Sequence, residues 1–379
     1  MTRSINNPKL HRFVLGTALA TFCLVWVGGL VTSHGAGMAV PDWPTTYGHN
    51  MFTFPISKWV GGVLYEHPHR LVASAVGFLT VILALWLWVK EERRWLRRLG
   101  WVALGAVILQ GVLGGLRVTA MKDELGIFHA ALAQLFFGLI SGIALVTSPW
   151  WHRQGRSAET GTSPRRWKSV ANRPGEGAGG EMAIYAGRRF RYLFAAVTGL
   201  VFLQLVLGAS MRHQHAGLAI PDFPLAYGAL WPRADADSVA RYNRERVEVT
   251  ALNPITAGQI HLQMTHRLMA LLILAAVAWT AGYVRRQLSW ASPLSRISLA
   301  WLGLILVQAV LGALTIWTNK APGTTTAHVA VGALSLVTGS TLALMAGRLE
   351  ARDRLKSSST ASGEQPASVA AATGVEIPV

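Results

Sequence analysis

Eight stretches of mostly apolar residues constrain this chain more than any other feature. They run over about 13–32, 69–89, 99–117, 126–147, 192–210, 266–284, 296–317 and 325–347. A helix needs about 20 apolar residues to cross a bilayer core. In lipid, backbone polar groups must be satisfied inside the segment, which favours helices. The reading is an all-α integral membrane protein with eight transmembrane helices. Composition agrees: 14% of residues are charged, against about 25% in soluble domains. The first run, Phe13 to Val31, exceeds the roughly 7–15 apolar residues of a cleaved signal peptide, so it is expected to stay as a span.

Lysine and arginine set the expected orientation. Of 35, 24 fall in residues 1–12, the second-to-third loop, the linker 148–191, the sixth-to-seventh loop and the tail 348–379. The positive-inside rule then puts both termini in the cytoplasm. The net charge of +17 is thereby explained as topology, and no nucleic-acid partner is expected. The linker and tail are rich in Gly, Ser, Arg and Ala and are expected to be flexible, because they lack the apolar surface to offset ordering. The single cysteine, Cys23, excludes an intrachain disulfide and reads as a small buried hydrophobe.

The chain repeats itself. Residues 35–48 (GAGMAVPDWPTTYG) match 215–228 (HAGLAIPDFPLAYG) at eight of fourteen positions. Glu66-x-x-His69-Arg70 matches Gln263-x-x-His266-Arg267, Gln110-x-Val-Leu-Gly matches Gln308-x-Val-Leu-Gly, and His129-x-Ala matches His328-x-Ala. Landmarks in one order at slowly rising offset indicate a duplicated four-span unit. Four crossings return the chain to its starting side. The halves therefore run in the same sense, and their pseudo-symmetry axis lies along the membrane normal. The expected architecture is two four-helix bundles, 13–147 and 192–347. The pattern Gln-x-x-Leu-Gly also occurs at Gln204, and reads as close helix contact.

Ionisable groups at a membrane span mark a functional site by default. His69, His129, His266 and His328 each head an even-numbered span at the extracytoplasmic end. In a four-helix bundle those helices lie diagonally, so each half can face two imidazoles across its core. Neutral imidazoles are the axial ligands haem iron takes. Glu66 shares a face with His69, while the second half carries Gln263 in its place. One carboxylate in a duplicated scaffold points to one reactive site and one electron-carrying site. The plainer alternative for Glu66 is an ion pair with Arg70. His34, His213 and His215 flank the repeated loop and read as polar loop residues or an entrance. His11, His49 and His152 read as solvated, and His67 as part of a first helical turn with Pro68. A di-haem electron carrier and a transporter stand as rival functions.

Taken together, Glu-x-x-His-Arg in the second span, the later lone histidine, their second-half copies and Gly-x-x-x-Pro-Asp-x-Pro-x-x-x-Gly resemble the haem A synthase family of cytochrome oxidase assembly proteins. The similarity covers nearly all of residues 13–347. It implies an oxidoreductase that converts the C8 methyl of haem O to the formyl of haem A. By this resemblance His69 and His129 hold the substrate haem O, Glu66 is the catalytic glutamate, and His266 and His328 hold a haem b cofactor. It also implies membrane lipid, the haem O synthase and oxidase assembly factors as partners, a homo-oligomer as one assembly, and a bacterial inner-membrane location. The lack of loop cysteines is similar to the cysteine-free branch of the family.

Overall fold

The computed structural model describes residues 7–159, 179–246 and 254–361, with the backbone alone described for 155–159, 179–186 and 352–361. The helices are α1 (Pro8–Ser33), α2 (Val63–Lys90), α3 (Arg94–Thr119), α4 (Glu124–Val146), α5 (Pro149–Glu159), α6 (Gly179–His213), α7 (Ala236–Glu245), α8 (Ala257–Gln287), α9 (Pro293–Trp317) and α10 (Pro322–Ala361). Eight of them, all but α5 and α7, contain segments long and apolar enough to span a membrane. The protein is an all-helical, multi-pass integral membrane protein.

Helix ends follow local chemistry. Asn7 caps α1 by accepting from the Leu10 N–H at 3.1 Å, with Pro8 in the first turn, where its missing N–H costs nothing. Thr256 and Gln259 form a capping box at α8. That box starts α8 well before the apolar run at 266, and α2 likewise starts at Val63. His69 and His266 therefore stand inside their helices rather than at the first residue. Pro68 is correspondingly an interior proline, not a first-turn one. The polar residues ahead of each run stay helical because folded loops, rather than water, satisfy them.

In the first half α1, α2, α3 and α4 pack in a ring, leaving α2 and α4 diagonal. In the second half α6, α8, α9 and α10 do the same, leaving α8 and α10 diagonal. Each half has its own apolar cluster, around Leu83, Leu87 and Ile140 in one and Phe194, Val277 and Trp301 in the other. The halves meet where α10 touches α1 and α4, and where α4 touches α6. Exchanging the halves maps α1–α10 onto α6–α4, so the pattern is consistent with the pseudo-twofold arrangement. Lipid supplies no hydrophobic drive between helices, so close packing at small residues substitutes for it. A Cβ on Gly339 would lie 2.6 Å from the Trp301 ring, and one on Gly100 would lie 3.0 Å from Leu87.

Four further expectations need correction. The linker is helical over Pro149–Glu159 and again from Gly179; residues 160–178 lie outside the described residues. Ser148 caps α5 by accepting from the Trp151 N–H at 3.2 Å. Trp150 packs on the second half's cluster and Trp151 on the first, so α5 bridges the two. His152 is buried with it, not solvated. The tail continues α10 to Ala361, and residues 362–379 lie outside the described residues. Cys23 is exposed on α1 rather than buried.

Candidate functional site

The repeated loop is built the same way twice. The Asp42 carboxylate accepts from the N–H groups of Tyr47 (2.8 Å) and Gly48 (2.9 Å) and from the Thr45 hydroxyl (2.5 Å). Asp222 accepts from Tyr227 (2.7 Å) and Gly228 (2.9 Å). Tyr47 donates to the Ala39 carbonyl and Tyr227 to that of Ala219. Gly48 and Gly228 have φ of +74° and +75°, a conformation glycine adopts without strain. Desolvation pushes the Asp42 carboxyl up, but the hydrogen bonds from Gly48, Thr45 and Tyr47 together outweigh it and hold it below its ordinary value. The shared Ala, Asp, Tyr and Gly positions of the repeat are thus loop-forming.

The loop is then fastened to the helix beneath it. Arg70 donates to the carbonyls of Asp42 (2.7 Å), Thr45 (3.0 Å) and Val40 (2.7 Å). Arg267 donates to those of Asp222 (2.7 Å) and Leu225 (2.9 Å). Glu66 is buried; its Oε1 pairs with Arg70 at 2.8 Å and its Oε2 accepts from the Val40 N–H at 2.8 Å. Gln263 is buried too and does the same work as an amide, accepting from the Ile220 N–H at 2.6 Å and donating to the Ile220 carbonyl at 3.1 Å. The ion pair read as the plainer alternative is therefore present. It serves a loop contact made in both halves.

The four histidines pack against glycines of the preceding span. A Cβ on Gly28 would lie 3.1 Å from the His69 ring. One on Gly114, Gly208 or Gly312 would lie 3.3 Å from His129, His266 or His328 respectively. One turn before three of these glycines stands a glutamine whose amide donates to the histidine's own backbone carbonyl. The pairs are Gln110 to His129 (3.1 Å), Gln204 to His266 (2.9 Å) and Gln308 to His328 (2.9 Å). The first span has Leu24 at that place, so His69 lacks the brace. The motif Gln-x-x-Leu-Gly, read from sequence as helix contact, seats the histidines. Its threefold recurrence beside histidine-bearing spans was the available signal.

All four Nδ1 atoms are buried without a hydrogen-bond partner, an arrangement that costs free energy in a settled apolar core. His266 and His328 stand with ring centroids 6.5 Å apart. Two metal–imidazole bonds of about 2.0 Å each, plus the ring radii, span roughly 6 Å. Among the described residues no group of three or more His, Cys, Asp or Glu side chains is placed to hold a metal ion. Two imidazoles alone suit a metal that brings its own equatorial ligands, as haem iron does. The residues present fit that group.

Other histidines are placed apart. His213 lies on Gly126 and 4.0 Å from Asp123. His34 stacks on Tyr65 at 3.9 Å, and His67 is buried between Phe54, Trp59 and Thr46. Arg212 reaches across the halves to the Gly29 carbonyl (2.8 Å) and Ser33 (2.6 Å) of α1.

Fold and site together define an eight-span membrane protein with a histidine pair on diagonal helices of each four-helix unit. A family model described as cytochrome oxidase assembly protein matches residues 11–339, and the chain belongs to that family. Curated relatives include the haem A synthase of Alkalihalophilus pseudofirmus, 24% identical over 323 residues, with 83% of this chain and 90% of the relative covered. That of Shouchella clausii is 26% identical, covering 74% and 78%. That of Brucella ovis is 24% identical, covering 83% and 86%.

Proposed function

We propose that this protein is a haem A synthase that oxidises the C8 methyl of haem O to a formyl group. Family membership and the relatives' names support the activity. The observation that carries the site reading is the facing pair His266 and His328, seated on glycines and repeated at His69 and His129. In this reading His266 and His328 hold a haem b, which supplies one-electron chemistry when bound. His69 and His129 hold the substrate haem O. The termini are cytoplasmic by the lysine and arginine distribution, the histidines lie toward the other face, and the membrane is the bacterial inner membrane.

The chain's own groups have distinct tasks. The glycines fix each imidazole's position, and Gln110, Gln204 and Gln308 fix the helices that carry His129, His266 and His328. Arg70 and Arg267 hold the repeated loops down, which limits water entry. Glu66 is the ionisable member of the Glu66/Gln263 pair. It is the group we assign to take up protons, or stabilise positive charge, as the methyl carbon is oxidised. A second reading, favoured by the 2.8 Å pair with Arg70, makes Glu66 a loop fastener alone.

Glu66→Gln separates the two, because Gln263 already shows that an amide fastens the loop. The variant should fold and keep its b-type spectrum. Haem A formed per mole of folded protein, with haem O supplied, should fall at least about a hundredfold, the low end of acid–base contributions. Near-wild-type turnover would assign Glu66 to the loop only. Recovery of unchanged haem from the wild-type protein would favour a di-haem electron carrier instead.

A further inference from the structure

A groove between the halves takes no part in the site described above. It has a volume of about 390 Å³ and is lined by residues including Gln134 and Gly138 of α4, Thr198, Gly199 and Phe202 of α6, and Ser340 of α10. Leu135 at its edge is 50% exposed, so the groove opens toward the hydrocarbon. Gln134 lies one to two turns along α4 from His129.

Three observations indicate a ligand rather than a packing flaw. Gln134 is 7% exposed, and its Oε1 is buried with no hydrogen-bond partner. A Cβ on Gly138 or Gly199 would meet nothing within 4 Å, so close helix approach does not require either glycine. The repeat supplies an internal control. At the offsets that pair Gly28 with Gly208 and His129 with His328, Gly199 corresponds to Leu19, Gly138 to Val337 and Gln134 to Ala333. The opposite face of the pseudo-symmetric pair therefore has bulk where this one has glycine, and no amide.

We propose that this groove binds the ring of an isoprenoid quinone, with its tail in the lipid. The ligand must be neutral, flat and apolar, yet carry polar atoms that meet an amide inside the membrane. An acyl chain carries none. Turning the Gln134 amide presents a donor to a quinone carbonyl or an acceptor to a quinol hydroxyl. Thr198 is part of the groove wall, and its hydroxyl donates to the Phe194 carbonyl at 2.6 Å. Reducing a quinone to a quinol takes two electrons and two protons. Taking a methyl to a formyl with water as oxygen source releases four of each, so two quinones balance one turnover. That balance rests on the activity proposed above; the binding site does not.

The test is photolabelling of the purified full-length protein in lipid nanodiscs with an azido-ubiquinone. Labelled peptides should map to α4, α6 or α10 at the groove, and unlabelled quinone should compete. Gly138→Val with Gly199→Leu, which copies the opposite face, should reduce labelling at least about tenfold without changing helicity or bound haem. Gln134→Ala should weaken competition by quinone about threefold to tenfold, the worth of one hydrogen bond. The proposal is overturned if the label maps elsewhere, if the double variant labels normally, or if farnesol or phospholipid competes as well as quinone. Labelling that persists in protein forming no haem A would keep the groove assignment and remove the synthase reading.

Discussion

Gly208 shows how much of the site depends on the absence of a side chain. Its hydrogen faces the His266 ring, and a Cβ there would stand 3.3 Å away. Gly208→Leu must push the imidazole off its position. Overpacking of this kind costs roughly 1–3 kcal/mol. The haem content of the purified variant should drop several-fold or more, read as Soret absorbance per mole of protein. A Cβ on Gly16 would meet nothing within 4 Å, so Gly16→Leu should leave haem content unchanged. Equal loss in both variants would separate haem retention from the glycine seats. The histidines themselves stood out in the sequence because polar residues are rare in apolar runs. Their glycine partners did not, since glycine is common in membrane helices and its role appears only when another helix is brought against it. The bonds made by Glu66 were half legible: its i+4 spacing to Arg70 announced the ion pair, but nothing local announced the Val40 N–H.

At the scale of elements, the repeated loop responds to acid. Asp42 lies outside the spanning helices, and its folded pKa is held below the ordinary value by the hydrogen bonds it accepts. A depressed carboxyl contributes stability above its unfolded pKa and loses it as pH falls through the folded one. The amides of Tyr47 and Gly48 should therefore exchange faster, relative to the intrinsic rate, once pH drops below the usual carboxylate range. Asp42→Asn should show that faster exchange already at neutral pH, while an unchanged exchange profile would rule the carboxylate out as the loop's anchor. The Tyr227 phenol in the second loop is pushed up to about 12 by burial and by the nearby Tyr242 and Asp222, so it remains a donor throughout this range. The second loop also carries α7, which the sequence did not reveal. Its residues are polar, and it holds through tertiary contacts: Asn243 bonds Ile255 in both directions, at 2.9 and 2.7 Å, and Tyr242 stacks on Tyr227 at 3.5 Å. The helix α5 is silent in the sequence for the same reason. Apolar runs report spans, and neither short helix is among those long and apolar enough to be one.

At the scale of the whole molecule, the eight spans and the duplicated unit were legible because each rests on length, period or order along the chain. The inter-half groove was not, because it appears only where α4, α6 and α10 come together. The central contact between α4 and α10 joins equivalent helices of the two units. In a protein made of two separate copies, that contact would be one helix meeting itself across a true twofold axis. The present chain thus has the layout of a homodimer whose subunits were later joined end to end. Differences such as Glu66 against Gln263 and Gly199 against Leu19 then mark where fusion allowed the copies to diverge, since a symmetric pair must change both sites at once. If the junction is only a tether, a chain cut between residues 160 and 178 and expressed as two fragments should reassemble. The fragments should co-purify in equal amounts with the haem content of the intact protein. Fragments that fail to associate would mean the covalent join has become part of what holds the halves together.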